Sequence, residues 1–109
     1  MKWDFPGGTV DFWETLEETL KREIMEETGL NITVNEMIPR CYSNVWIHED
    51  FKIHAMVFCY RCKLIGGEIS LNDHKIHDLK WIDKNDFCNY EFLPSIKLFL
   101  DEVNFLDEE

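Results

Sequence analysis

Apolar residues recur at helical spacing in two parts of the chain, one near each end. The first part places three aliphatic residues on one face, Leu16, Leu20 and Ile24. Thr15 and Glu18 form a capping-box pattern at its start, and Gly29 is a typical residue at which a helix ends. The second part begins at Pro94 and carries its apolar residues on one side, Ile96, Phe99, Leu100 and Val103. Each pattern predicts an amphipathic helix.

Between these helices, apolar residues alternate with a period of two, as they do in β-strands. The pattern predicts strands from Ile32 to Tyr42 and from Phe51 to Leu64, and the second should be buried on both faces because both are apolar. Leu79 to Ile82 is predicted to be a further short strand. We therefore expect an α/β (α+β) fold, with a mixed sheet between two helices, in one domain that spans residues 1–109.

The charge of the chain narrows the range of its partners. The 22 acidic residues exceed the 11 basic ones, which gives a formal net charge of −11. Such a chain repels nucleic acid and anionic membranes, so a phosphorylated small molecule would need a cation between itself and the protein. No stretch resembles a signal peptide or could cross a bilayer, and we expect a cytoplasmic protein.

The chain contains four cysteines, Cys41, Cys59, Cys62 and Cys88. Cys59 and Cys62 have the spacing of half a zinc site, but residues three apart on a strand point to opposite faces. We therefore expect reduced, buried thiols rather than a structural zinc.

Three glutamates, Glu23, Glu26 and Glu27, share one side of the first predicted helix. At about 3.6 residues per turn they lie within an arc of about 100°, so their carboxylates can converge on one point. They also precede Gly29, at a helix end where the dipole disfavours negative charge and only Arg22 offers a nearby cation. A divalent cation would stabilise such a cluster, whereas a solvated charged face would need no ligand, and the residues alone leave both interpretations open.

Residues 8–30 match a specific motif, G-x5-E-x7-R-E-U-x-E-E-x-G-U, in which U is a bulky aliphatic residue. Its fixed positions are all occupied, by Gly8, Glu14, Arg22, Glu23, Ile24, Glu26, Glu27, Gly29 and Leu30. Residues 3–8 add a Trp-x-x-Pro-Gly-Gly lead-in. On these residues the chain resembles the Nudix hydrolase family of the MutT-like type, and the similarity extends more loosely to Trp81 and to Leu93-Pro94.

The resemblance implies an α/β/α sandwich and a metal-dependent hydrolase that cleaves a diphosphate bond in a nucleoside diphosphate linked to another moiety. It implies that Glu23, Glu26 and Glu27, with the backbone carbonyl of Gly7, hold Mg²⁺ or Mn²⁺. Arg22 would orient a glutamate, and Glu23 would be the base that activates water.

Three further residues, in the motif or next to it, have expected roles. Gly7 and Gly8 would let the backbone approach the metal and the substrate, because a side chain there would obstruct them. Glu14 would be either a further ligand through water or a residue that the helix dipole favours, and both interpretations remain open.

The chain departs from the family pattern at its start. Family members carry strands ahead of the tryptophan lead-in, whereas only Met1 and Lys2 precede it here. Either the start is misplaced or truncated, or the domain is genuinely reduced, and we expect the chain as given to lack these strands. The exposed sheet edge should then lead to a homodimer or to slow turnover. The alternative to an enzyme is a Nudix-like domain that binds a nucleotide or a partner without hydrolysing it.

The chain also lacks several residues that mark particular substrates in this family. Many relatives have an acidic residue ahead of Trp81 where this chain has Lys75, although Asp73 or Asp78 could replace it. His74 or His77 would either meet phosphate or water or, as we rather expect, be exposed loop histidines with no role. Val45 and Trp46 stand where a proline marks many ADP-ribose pyrophosphatases. This favours a (deoxy)nucleoside triphosphate that is cleaved to the monophosphate and pyrophosphate. Trp46 would either stack on the base or be buried on its strand.

Overall fold

A computed structural model of the chain describes residues 2–71 and 76–107, and side chains as far as residue 102. Along the chain it contains helix α1 (Leu16–Thr28), strands β1 (Leu30–Ile47) and β2 (Lys52–Gly67), a short 3₁₀ helix (Lys84–Asn89) and helix α2 (Pro94–Asp107). Both α-helices pack on β1. Neither of these two described helices is long and apolar enough to cross a membrane.

Helix α1 begins and ends where local hydrogen bonding predicts. The hydroxyl of Thr15 accepts a hydrogen bond from the Glu18 N–H, and the Glu18 carboxylate accepts one from the Thr15 N–H, both at 3.1 Å. These two bonds complete the predicted capping box. Gly29 adopts φ 78° and its N–H donates to the carbonyl of Met25, so the left-handed helix end requires the freedom of glycine.

Strands β1 and β2 form a long antiparallel hairpin. Its register runs from Leu30 opposite Gly67 to Ile47 opposite Lys52, and both strands are longer than the predicted ones. The difference has a physical reason, because backbone pairing continues through residues that break the apolar alternation. The register shifts three times, between Asn31 and Ile32, between Val34 and Glu36, and between Met37 and Cys41. Such bulges bend and twist a ladder.

Parallel pairing among the described residues is confined to one bridge, between Trp3 and Phe92. The N–H of Trp3 donates to the carbonyl of Glu91 at 2.7 Å, and the Trp3 carbonyl accepts from the N–H of Leu93 at 3.1 Å. This bridge ties the start of the chain to the start of α2. The strand predicted from Leu79 to Ile82 is not formed. Its apolar pattern instead reflects the packing of Ile82 against the residues around Phe92.

The prediction that both faces of β2 are buried is wrong. Met56 is 62% exposed, and Ile53 and Phe58 are also exposed. In the part of the chain that the structure describes, β1 is the only strand paired with β2, so one edge of β2 is open. Alternating apolar residues show which side chains suit a covered surface, but they do not supply the element that covers it.

The apolar core is divided into two clusters. Ile24 on α1 packs with Leu30 and Ile32 on β1. The second cluster is built on Phe92, Ile96 and Leu100, with aromatic and aliphatic neighbours that include Trp3, Phe5, Ile82 and Phe87. Members of both clusters line a groove of about 1070 Å³. We call it the central groove, and its walls include Trp3, Gly8, Ile24, Trp46, Phe58 and Phe99.

We expect Ile38→Ala to destabilise the domain, because Ile38 on β1 is only 1% exposed and its truncation would leave a cavity. The free energy of unfolding, measured by urea titration, should fall by about 2–5 kcal/mol. Ile47→Ala is the matched control, at the 75% exposed end of the same strand. It should change this free energy by no more than about 0.5 kcal/mol. Equal effects of the two substitutions would show that Ile38 does not belong to the core.

Candidate active site

The turn that precedes α1 lies against the C-terminal half of this helix. The N–H of Gly7 donates a hydrogen bond to Glu27 Oε2 at 3.1 Å. A Cβ on Gly8 would overlap the carboxylate of Glu23, whereas a Cβ on Gly7 would meet nothing within 4 Å. A side chain at position 8 would therefore displace the Glu23 carboxylate from the place that it occupies here. At position 7 the contact is made by a backbone N–H, which every residue except proline has.

The guanidinium of Arg22 joins three carboxylates. Its Nε and Nη2 donate to the two carboxylate oxygens of Glu14, at 2.9 Å and 3.0 Å. Its Nη1 donates to Glu23 Oε1 at 3.0 Å and to Glu26 Oε2 at 3.3 Å. The side chains of Glu14 and Glu23 are largely shielded from solvent, while that of Glu26 is 59% exposed. Hydrogen bonding, to Glu14 above all, raises the pKa of Arg22 beyond its ordinary value, so this cation is permanent.

Glu14 has a role that neither interpretation of the sequence included. Besides its two bonds to Arg22, its Oε1 accepts a hydrogen bond from the hydroxyl of the buried Thr19 at 3.1 Å. The hydrogen bond from Arg22 is the main cause that lowers the pKa of Glu14. Glu14 stands before the helix, so the rule for helical neighbours three or four residues apart could not have identified this pair.

The donor set at the helix end suits a hard divalent cation in its chemistry. Carboxylate and carbonyl oxygens are the ligands that Mg²⁺ and Mn²⁺ prefer, and Glu23, Glu26, Glu27 and Gly7 supply them. In the structure, Glu23 and Glu26 face Arg22, and Glu27 faces the N–H of Gly7. Within residues 2–71 and 76–107, no three His, Cys, Asp or Glu side chains come together as metal ligands. Glu23 and Glu26 each give one carboxylate oxygen to Arg22 in this arrangement.

Trp46 lies on β1 and is 54% exposed, so the interpretation of a buried tryptophan is wrong. Its side chain lines the central groove, which also reaches Gly7 and Gly8. The groove thus connects an exposed indole ring to the turn that faces the carboxylates.

A smaller cavity of about 340 Å³ lies beside the glycine turn. It is lined by residues from the start of the chain, from the end of α1 and from the segment before the 3₁₀ helix, among them Asp4, Gly7, Glu27, His77 and Asp78. Asp78, one of the two aspartates considered as a replacement acid, therefore shares a cavity with Glu27. Three other residues considered above lie outside the described residues, Asp73, His74 and Lys75. Asp4 was not singled out by the sequence; desolvation raises its pKa, against a hydrogen bond from the Phe5 N–H that lowers it.

All four cysteines are free. Cys41, Cys62 and Cys88 are exposed, so the expectation of buried thiols is wrong for these three. Cys59 is half-buried, and burial raises its pKa to about 11. A thiol that stays protonated near neutral pH is a poor nucleophile.

Comparison with known proteins identifies the family. The sequence model of the NUDIX domain matches residues 1–103, and the chain belongs to this family. The chain is 31% identical over 101 residues to the putative mutator protein MutT4 of Mycobacterium tuberculosis, an alignment that covers 92% of this chain and 38% of that protein. It is 26% identical over 96 residues to the nucleoside triphosphatase NudI of Escherichia coli, covering 83% and 67% of the two chains. The chain thus spans well under half of the length of MutT4.

A solved structure shares the fold. The solution structure of the E. coli ORF135 protein is similar with a TM-score of 0.66, over 96% of this chain and 70% of that one, at 23% identity. This likeness concerns the fold alone. It confirms the Nudix-type α+β architecture that the motif and the predicted elements indicated.

The lowered pKa of Glu14 predicts how stability depends on pH. A carboxylate whose pKa is lower in the folded state stabilises that state above its unfolded pKa, and the contribution is lost as the pH falls through the folded pKa. The ordinary pKa is 4.5, so the contribution of Glu14 should be complete above about pH 5 and should decline below it. Urea unfolding at a series of pH values should show a smaller acid-induced loss for Glu14→Gln than for the wild type.

Glu49→Gln, at the exposed tip of the hairpin, is the control and should retain the wild-type pH dependence. If the free energy of unfolding of Glu14→Gln and of the wild type declined equally with falling pH, the assignment of this dependence to the Glu14–Arg22 pair would be contradicted.

Proposed function

We propose that the chain is a metal-dependent hydrolase that cleaves the diphosphate bond of a (deoxy)nucleoside triphosphate to give the monophosphate and pyrophosphate. The observation that carries the proposal is the set of glutamates, Glu23, Glu26 and Glu27, held around Arg22 and the Gly7–Gly8 turn. Members of the NUDIX family are generally pyrophosphohydrolases that use divalent cations, which agrees with this chemistry.

The carboxylates would have different roles at this site. Bound Mg²⁺ or Mn²⁺ would neutralise phosphate charge that a chain of net charge −11 otherwise repels. Glu26, Glu27 and the Gly7 carbonyl would hold the cation, with Glu23 as a further ligand or as the base that accepts the proton of the attacking water. Before metal binds, Nη1 of Arg22 donates a hydrogen bond to Oε1 of Glu23 at 3.0 Å and neutralises part of its charge.

The nucleoside half of the substrate would occupy the central groove. NudI is named as a nucleoside triphosphatase, and its similarity to this chain supports a nucleotide of that class. The exposed indole of Trp46 offers a flat apolar surface on which a base can stack. Gly8 also lines the groove and lies against the carboxylate of Glu23, so one groove would hold both a base at Trp46 and phosphates beside the carboxylates.

Glu27→Gln tests this proposal. It removes a metal-binding charge, so the Mg²⁺-dependent hydrolysis of nucleoside triphosphates should fall at least roughly 10- to 100-fold. This is the loss expected when a residue that only supports a metal ligand is removed, and Glu27 would itself be a ligand. The melting temperature without metal should stay level or rise, because the helix end loses a charge that its dipole disfavours. The readouts are release of pyrophosphate and thermal unfolding.

Glu17→Gln, an exposed glutamate at the other end of α1, is the control and should retain turnover. Near-normal hydrolysis by Glu27→Gln would overturn the assignment of the metal site. A folded wild type that binds the nucleotide without hydrolysing it would instead favour a non-catalytic binding domain.

We also propose that the chain forms a homodimer through the open edge of β2. Residues 53–60 all line the central groove, although alternate side chains of a strand point to opposite faces. The groove is therefore bordered by the edge of the strand, where backbone N–H and C=O groups are available for pairing. An open edge with exposed apolar side chains such as Met56 is a template for pairing with a second chain.

The dimer should be detected by light scattering as a molar mass that rises with protein concentration. Met56→Lys should shift this equilibrium toward the monomer, because a lysine on a strand edge opposes pairing. Leu71→Lys introduces the same charge at a similarly exposed residue outside the strands, and it should leave the equilibrium unchanged. A wild type that stays monomeric at all concentrations would refute the dimer.

A further inference from the structure

Arg22 lies among the carboxylates where a cation would be expected. Its Nη1 donates both to Glu23, at 3.0 Å, and to Glu26, at 3.3 Å, so one nitrogen contacts two of the three glutamates that would bind metal. The last turn of α1 contains no basic residue. Arg22 is therefore the group that relieves negative charge at these two side chains, and an incoming metal ion has to compete with it.

The contacts of Arg22 are unequal in strength. Its pair with Glu14 is bidentate, at 2.9 Å and 3.0 Å, and Glu14 is supported by the hydroxyl of Thr19. Bidentate arginine–carboxylate pairs are the stronger and more specific kind. The contacts to Glu23 and Glu26 share one nitrogen, and Glu26 is the most exposed of the three partners. Arg22 can thus give up the Nη1 contacts and stay attached to Glu14.

We propose that Arg22 is the resident counter-ion of this cluster. It neutralises Glu23 and Glu26 in the absence of metal, and it keeps only its contacts to Glu14 when a divalent cation takes these carboxylates. Glu14 is then a positioning residue, since it holds the guanidinium beside the site in both states. The inference rests on the metal site proposed above. It states in addition that Arg22 lowers the affinity of this site for metal.

Two roles of Arg22 predict opposite results. If Arg22 only oriented Glu23 for metal binding, its removal would weaken binding, because the ligands would become disordered. A resident counter-ion competes with the metal, so its removal leaves the carboxylates available and increases their attraction for a divalent cation. The affinity for Mn²⁺ without substrate distinguishes the two roles, and it does not depend on turnover.

The experiment measures Mn²⁺ binding by electron paramagnetic resonance of the free ion, at about 0.15 M salt so that distant charges are screened. Arg22→Gln should bind Mn²⁺ roughly two- to fivefold more tightly than the wild type. Its melting temperature without metal should fall, and added Mn²⁺ should restore it. Arg40→Gln is the matched control, because it removes the same charge from a pair with Glu102 on α2 at 2.9 Å. It should leave the Mn²⁺ affinity unchanged.

Glu14→Gln provides a second measurement, which also serves if Arg22→Gln does not fold. It should weaken Mn²⁺ binding, because the released guanidinium can turn fully onto Glu23 and Glu26. The weakening should be smaller in an Arg22→Gln background, where there is no guanidinium to release.

Weaker Mn²⁺ binding by Arg22→Gln, or unchanged binding by Glu14→Gln, would overturn the counter-ion role and leave the metal site itself standing. A folded wild type with no saturable Mn²⁺ binding would overturn the metal site and this inference with it.

Discussion

Negative charge accumulates at the C-terminal end of α1, where the helix dipole already disfavours it. Glu23, Glu26 and Glu27 lie there, and the last turn of the helix has no basic residue. Arg22, on the same helix, donates hydrogen bonds to Glu23 and Glu26, and the N–H of Gly7, outside the helix, donates one to Glu27. The bond between Gly7 and Glu27 also holds the glycine turn against the helix, so one contact both reduces the charge at this helix end and shapes the site.

The loop between the glycine turn and α1 is tied to the helix near both of its ends. Gly7 contacts Glu27, and Glu14 contacts Arg22. Between these ties, Trp13 is 99% exposed and adopts φ 71°, a left-handed conformation that costs a bulky residue about 1–3 kcal/mol. Such a conformation persists where its surroundings determine it, and the bidentate contact of the adjacent Glu14 provides that restraint.

The apolar part of the molecule is organised around β1, on which both helices pack. Ile38 on this strand and Phe99 on α2 are the most deeply buried large side chains, whereas much of β2 is exposed. Between the two small clusters lies an apolar groove, and both Trp46 and Gly8 line it. An apolar groove and an acidic helix end meet at one glycine turn.

The sequence by itself determined the features that depend on neighbouring residues. The capping box of Thr15 and Glu18, the end of α1 at Gly29 and the start of α2 at Pro94 arise from hydrogen bonds and backbone preferences within a few residues, so a local pattern suffices to predict them. The motif of residues 8–30 likewise identified the family, because its spacing is that of one loop and one helix.

Only the tertiary structure decided which surfaces are covered and which charges meet. The apolar pattern of β2 predicted burial, but burial depends on what packs against the strand, and Met56 is exposed. The segment from Leu79 to Ile82 had the pattern of a strand, but it pairs with neither of the two described strands. Glu14 reaches Arg22 only because the loop folds back onto α1. Contacts of this kind join residues whose distance in space is set by the whole chain, and no spacing along the sequence encodes that distance.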